Sequence, residues 1–252
     1  MTAGTALVTG ASSGIGEQFA RQLAARGHDL ILVARRVDRL EALAAELPTE
    51  ARVIACDLGS EAASLPARMR EVGADVELLV NNAGFGAHGR FWEIPEGRDT
   101  EMVRVNCEAV VTLTRAFVPE MIKRGRGGVI VVASTAGMQP LAYETTYAAS
   151  KAFALHFSEA LHTELRGTGV KCLAVNPGPV RTEWQEVAGI EEKQIPPGMI
   201  GAEQCVRESL SAYDRGARSL VPGAFFRNFI RASSLAPKAI QLRVAERMYR
   251  PD

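Results

Sequence analysis

The chain has 252 residues, 47% hydrophobic and 23% charged, an ordinary globular balance with enough length to bury a substantial core. Lysine plus arginine and aspartate plus glutamate both number 29, so no global basic field argues for a nucleic-acid partner. Four widely separated cysteines without a CxxC, and four histidines without ligand spacing, read as a reduced intracellular protein with no disulfide framework and no metal site.

The opening MTAGTALVTGASSG enters a strand almost at once and shows no secretory leader. No stretch approaches the roughly 18 uninterrupted apolar residues of a membrane span. The expected location is the cytoplasm.

In chain order, TALVTG (5–10) predicts a first strand and GIGEQFARQLAARG (14–27) a helix closed by glycine. DLILVARR (29–36) is a second strand, with a helix near 38–47. RVIACDL (52–58) is a third, with a helix near 60–72, and VELLVNNAG (76–84) is a fourth. A long helix is expected over 99–124, then the strand GGVIVVAS (127–134). A second long helix is expected from Tyr143 to Arg166, then the strands VKCLAVNPG (170–178) and RSLVPG (218–223). These strands are nearly continuous Val/Ile/Leu/Ala runs, as expected when helices cover both faces of a sheet. The β-α-β-α order predicts an α/β fold: one Rossmann-type domain over 1–252, its parallel seven-stranded sheet doubly wound. Ligands in such sheets sit outside the carboxyl ends of the strands.

The first strand ends in TGASSGIG (9–16), a GxxxGxG pattern rather than GxGxxG. Gly10 permits a tight turn, Gly14 lets backbone approach a pyrophosphate, and Gly16 allows close helix–strand packing. Ser12, Ser13 and Ile15 complete the loop, and the helix start offers N–H groups to phosphate. At the end of the second strand, an NAD site normally carries an acid for the adenine ribose. Here stand Ala34, Arg35 and Arg36. Two guanidiniums suit a 2′-phosphate, so NADP(H) is expected over NAD(H). Asp57 and Leu58, after the third strand, are expected near adenine, although Asp57 on spacing alone serves equally as a loop cap.

In YAASK, Tyr147 and Lys151 share one helix face, a spacing that by itself is common surface packing. Tyr143 lies in the same helix region, but only Tyr147 has a lysine four residues on. With TGASSGIG, CDL, NNAG, Ser134, YAASK and NPGPVRT in order, the chain resembles the short-chain dehydrogenase/reductase family in its compact single-domain branch. The resemblance covers about residues 4–223. It implies that Asn82, Ala83 and Gly84 pack near the adenine ribose, and that Asn106 holds a proton-relay water. It further implies a catalytic pair of Ser134 and Tyr147, 13 residues apart, with Lys151 lowering the tyrosine pKa and touching the nicotinamide ribose. Pro177, Gly178, Val180 and Thr182 match the loop that holds the carboxamide. Ala133 stands where the family often has a first serine.

The segment 183–200 matches the family's mobile lid. Trp184, Ile190, Ile195 and Met199 are expected to line an apolar pocket with Phe85, Phe91, Trp92, Met138 and Leu141, for a hydrophobic ketone or acyl-type carbonyl. Residues 225–250 carry five arginines and one lysine against one glutamate, interleaved with apolar residues and broken at Pro237. They predict two short amphipathic helices, serving as a substrate-capping or subunit-packing tail in preference to a membrane contact. The leading expectation is an NADPH-dependent carbonyl reductase or the reverse alcohol dehydrogenase. Its alternatives are a catalytically silent NADP(H)-binding sensor or scaffold, and an epimerase or dehydratase of the extended branch. The resemblance also implies a homodimer or homotetramer through the two long helices.

Overall fold

The computed structural model describes residues 4–71, 73, 75–181 and 198–251. A seven-stranded sheet runs in the order β3-β2-β1-β4-β5-β6-β9. Its strands are β1 (Thr5–Thr9), β2 (Asp29–Ala34), β3 (Ala51–Ala55), β4 (Val76–Asn81), β5 (Gly127–Val132), β6 (Val170–Val175) and β9 (Ser219–Leu220). Every pairing is parallel. A separate two-stranded sheet joins β7 (Val180–Arg181) to β8 (Ile200–Gly201). The order reverses between β1 and β4, which opens the crevice where ligands of such folds bind.

Alternation along the strands divides the core in two. Leu7, Ile31, Val33, Leu79, Val129 and Val131 face one side. There they meet α3 (Leu65–Glu71), α5 (Ala109–Arg124) and α6 (Thr145–Glu164) through residues such as Met69, Leu113 and Leu155. Ala6, Val8, Leu30, Leu32, Val80 and Ile130 face the other side. These pack against α1 (Gly14–Ala25), α2 (Val37–Glu46) and α7 (Ala202–Asp214), through Phe19, Leu40 and Leu210. Burial on both faces explains why the strands read as unbroken apolar runs.

Three elements differ from expectation. The long helix over 99–124 is composite, with α4 (Arg98–Val103), a π-helical turn over Arg104–Glu108, then α5. The wider turn holds Val105 and Asn106 in buried positions. The helix expected from Tyr143 begins at Thr145, because Tyr143 has left-handed backbone at φ 67°. The helix α7, missed in the sequence, buries Cys205, Val206 and Leu210; its apolar stripe is short and lies behind the PPG break. The tail forms the two expected helices, α8 (Ala224–Ser233) and α9 (Lys238–Tyr249). Among the described residues, no helix is long and apolar enough to cross a membrane.

Candidate active site

A cavity of about 450 Å³ lies at the carboxyl ends of the strands. It runs from the glycine loop after β1, past β2 and β3, to the start of α6 and the tail. Gly10, Ser12, Ser13, Gly14, Ile15, Arg35, Arg36, Asp57, Leu58, Asn82, Ala83 and Gly84 all line it. So do Ser134, Tyr147, Lys151, Pro177, Gly178 and Val180. Gly16 and Asn106 stand behind this wall, and Thr182 falls outside the described residues, as do Trp184, Ile190 and Ile195.

The glycine loop is braced from both sides. Gly10 adopts φ 66°, and a Cβ on Gly16 would come within 2.2 Å of the Gly10 carbonyl oxygen. Only glycine allows the α1 start to sit this close to the strand end. Asn82 clamps the turn, donating from Nδ2 to the Thr9 carbonyl at 2.8 Å and to Gly10 at 3.3 Å. Thr9 Oγ1 in turn accepts from the backbone N–H groups of Asn82 and Ala83, each at 3.0 Å. Thr9 was not singled out from the sequence; a buried hydroxyl at the last residue of β1 was the available signal.

The first residues of α1 receive no side-chain cap, which fits the loop to an anionic pyrophosphate. Arg36 donates from Nη2 to Ser13 Oγ at 2.9 Å and to Ser12 Oγ at 3.1 Å, so a guanidinium is fixed beside the loop. Arg35 reaches outward to Glu101 at 3.6 Å and is more exposed. Asp57 Oδ1 accepts from the Gly59 N–H at 2.9 Å, the loop-cap geometry, while the residue also faces the cavity.

At the far end, Ser134 accepts from the Ala136 N–H at 3.1 Å and hydrogen-bonds Tyr147. Lys151 Nζ donates to the Val132 carbonyl at 2.9 Å and lies 6.0 Å from the Tyr147 ring centroid. Asn106 is buried, and its side chain is spent inside the protein. It accepts from the Phe85 N–H at 3.2 Å and donates to the Phe85 carbonyl at 3.0 Å and Ser150 Oγ at 2.9 Å. It thereby pins the loop after β4 to α6. A Cβ on Gly84 would meet Asn106 Oδ1 at 2.9 Å and Lys151 Nζ at 3.1 Å, so both side chains close on one point.

Burial, the largest influence, pushes the Tyr147 hydroxyl well above its ordinary value. The Ser134 hydrogen bond pulls it down, whereas Glu144 and Tyr249 push it up. Burial also pulls the Lys151 ammonium down to about 8. For the tyrosine, burial outweighs the Ser134 hydrogen bond, so the net direction is upward. Tyr147 is consequently held as a neutral phenol, the proton-donating form.

The apolar wall also departs from expectation. Phe85 and Leu141 line the cavity as expected, but Phe91 and Trp92 are 58% and 79% exposed, on a short 3-10 turn outside it. Met138 packs into the core beneath the sheet, and Met199 is likewise absent from the lining. Their places are taken by Phe226, Phe229 and Ile230 of α8 and by Tyr249 of α9. Phe226 can approach because Gly178 has no side chain; a Cβ there would lie 2.5 Å from the ring. The tail therefore caps the cleft.

Glu144 was also missed. It lines the cavity, is 5% exposed, and burial raises its carboxyl to about 7. Its neighbours are Tyr147, Tyr249 and His88, the last with Nδ1 4.0 Å from Oε1. A carboxyl whose folded pKa is raised favours the folded state most when protonated, so stability falls as pH rises from about 4.5 to about 7. Glu144→Gln is expected to remove that slope. The Tm advantage of the variant should grow from near zero at low pH to the equivalent of about 3 kcal/mol above neutrality. Parallel Tm–pH curves for the two proteins would refute this assignment.

The family model described as short chain dehydrogenase matches residues 4–193. The chain belongs to the short-chain dehydrogenase family. It is 39% identical over 198 residues to the NADP-dependent 3-hydroxy acid dehydrogenase YdfG of Salmonella typhi, across 74% of this chain and 78% of that one. It is 35% identical over 193 residues to a very-long-chain 3-oxoacyl-CoA reductase of Phaeosphaeria nodorum, across 72% of this chain but only 56% of the reductase. Among solved structures, a short-chain dehydrogenase from Sphingobium yanoikuyae in complex with NADPH superposes with a TM-score of 0.83 at 32% identity. That match covers 94% of this chain and 95% of the other.

Proposed function

We propose that this protein is an NADP(H)-dependent carbonyl reductase, or in reverse an alcohol dehydrogenase, acting on hydrophobic ketones or acyl-type carbonyls. The observation that carries the reading is the meeting of Ser134, Tyr147 and Lys151 in one cleft with the braced glycine loop and the Phe226–Phe229–Ile230 wall. The loop and Arg36 would hold the diphosphate and 2′-phosphate of NADPH, with Lys151 and the 177–180 loop at its nicotinamide end. Bound there, the cofactor supplies a hydride to the substrate carbon.

The chain's own groups manage the oxygen. Reduction builds negative charge on the carbonyl oxygen, which needs donors already in place. Tyr147, kept protonated by burial, donates its proton to that oxygen, and the Ser134 hydroxyl offers a second hydrogen bond. The phenolate left behind is stabilised by the Lys151 ammonium on the same helix face. Asn106 acts as a positioning residue through Phe85 and Ser150. The aromatic wall excludes water and binds apolar substituents. The NADP-dependent relative and the NADPH complex support the cofactor choice, and the long-chain acyl reductase supports the apolar substrate.

The test is NADPH oxidation against a carbonyl panel, with long methyl ketones expected to turn over and small polar sugars not. NADPH should exceed NADH in kcat/KM, and Arg36→Ala should narrow that preference by about tenfold or more, the worth of a charge-assisted hydrogen bond. Failure to oxidise NADPH with any carbonyl would reject the activity. Equal use of both cofactors by the wild type would reject the 2′-phosphate assignment.

A further inference from the structure

Glu144 lies in the cleft, yet neither the proton relay nor the cofactor grip uses it. It occupies the position preceding α6, where a carboxylate ordinarily accepts from the first-turn N–H groups. Its side chain makes no such bond. It is buried in the cavity wall instead, three residues before Tyr147 and so on the same side of the helix start. The backbone is arranged to put it there. Tyr143, just before it, is a non-glycine residue with left-handed backbone, φ 67°. Its carbonyl is held by the Gly89 N–H at 2.9 Å. Such a conformation is costly for a bulky residue and persists where the surroundings enforce it. The same loop brings His88 Nδ1 to 4.0 Å from Glu144 Oε1, and α9 brings Tyr249 across the opening.

A buried carboxylate must be answered by a donor or it costs stability. His88 at 4.0 Å is beyond hydrogen-bond length. Glu144 lines the same cavity as Tyr147, Leu141 and Tyr249, the end assigned to substrate in the reading above. Resting on the carbonyl-reductase reading, we propose that Glu144, backed by His88 and Tyr249, is a selectivity subsite. It accepts a hydrogen bond from a hydroxyl or amide N–H near the reacting carbon of a neutral substrate, and it excludes substrates with a free carboxylate there. Among the described residues, the ionisable groups facing Glu144 are Tyr147 from its own helix, Tyr249 from α9 and His88 from the loop after β4. With a carboxyl near 7, the site is largely anionic at pH 8, where discrimination should be sharpest.

The test uses the full-length protein saturated with NADP, and three alcohols that share one apolar chain: 3-hydroxyoctanoate, its methyl ester and its primary amide. At pH 8 the wild type should prefer the amide to the carboxylate by about a hundredfold in kcat/KM. That is the scale for two like charges about 6 Å apart at an effective dielectric of about 20. Glu144→Gln should raise the carboxylate-to-amide ratio by at least about tenfold, once the buried charge is gone. Wild-type ratios within threefold of unity, or a ratio unmoved by the substitution, would overturn the subsite. The wild-type comparison decides the matter if the variant does not fold. If none of the three alcohols is oxidised and the carbonyl panel is silent as well, the reductase reading fails. The subsite is then judged separately by the melting shifts the same compounds give with the NADP complex, where equal shifts overturn it.

Discussion

Tyr147→Phe is expected to lower kcat by about a thousandfold or more while leaving NADPH binding within a few-fold of the wild type. The substitution removes one oxygen, keeps the ring that packs against Phe85, Leu141 and Ala148, and leaves the glycine loop untouched. The loss is that of a positioned general acid, worth roughly a hundred- to ten-thousandfold, together with one donor to the developing oxyanion. Because burial holds the phenol protonated, no neighbouring group is as well placed to substitute for it. Ser134 is the nearest hydroxyl, but its oxygen already accepts from the Ala136 N–H and lies 3.4 Å from the Pro177 carbonyl. Single-turnover NADPH oxidation with excess ketone, alongside a binding titration, separates the two effects. Retention of more than about a tenth of the wild-type rate would remove Tyr147 from its assigned role.

Gly137→Ala is expected to damage both stability and catalysis, though Gly137 touches no substrate. It lies in the 3-10 turn after Ser134, where the chain passes directly over the backbone of α6. A Cβ there would stand 2.5 Å from the Lys151 carbonyl carbon and 2.6 Å from the Ala152 nitrogen. Neither neighbour is a flexible side chain, so the turn and the helix must separate. Overpacking of this kind costs roughly 3 kcal/mol. The separation falls between Ser134 on one side and Tyr147 with Lys151 on the other. A displacement of about 1 Å between catalytic groups can cost about a hundredfold in rate. Gly201→Ala supplies the control, because a Cβ there meets nothing within 4 Å. Thermal melts and kcat measured side by side should show both losses in Gly137→Ala and neither in Gly201→Ala. A kcat within threefold of the wild type would show that the turn does not set the alignment.

The sheet was legible because its strands are buried on both faces and so appear as unbroken apolar runs such as DLILVA, with glycine marking the turns. Strand ends were less so: the third strand was expected to reach residue 58 but stops at Ala55, since CDL already belongs to the cleft. The meeting of Ser134, Tyr147 and Lys151 in one cavity was legible because the tyrosine and lysine stand four residues apart on one helix face and the serine closes a strand end. What lay hidden was set by tertiary context. The π-helical turn at Asn106 leaves no mark in hydrophobic periodicity. Glu144 reads as an ordinary acid near a helix start until Tyr143 is seen to turn it inward. Phe91 and Trp92 looked like pocket residues through composition, whereas the wall comes from Phe226 and Phe229, some 130 residues further on.

The capping of the cleft by α8 and α9 has a consequence for how this protein can change. The two helices contribute Phe226 and Ala245 to the buried set and no strand to the sheet, and both lie beyond residues 4–193 matched by the family model. The part of the cleft wall that α8 supplies is thus encoded apart from Ser134, Tyr147 and Lys151, whereas α9 packs through Ala245 into the buried cluster that holds Tyr147. Substitutions at Phe229 and Ile230 of α8, which line the cavity and lie outside the buried clusters, are expected to reshape that wall at little cost to the core. On the proposed carbonyl-reductase reading, such a chain can acquire a new preferred substrate through a few α8 mutations without first losing its fold.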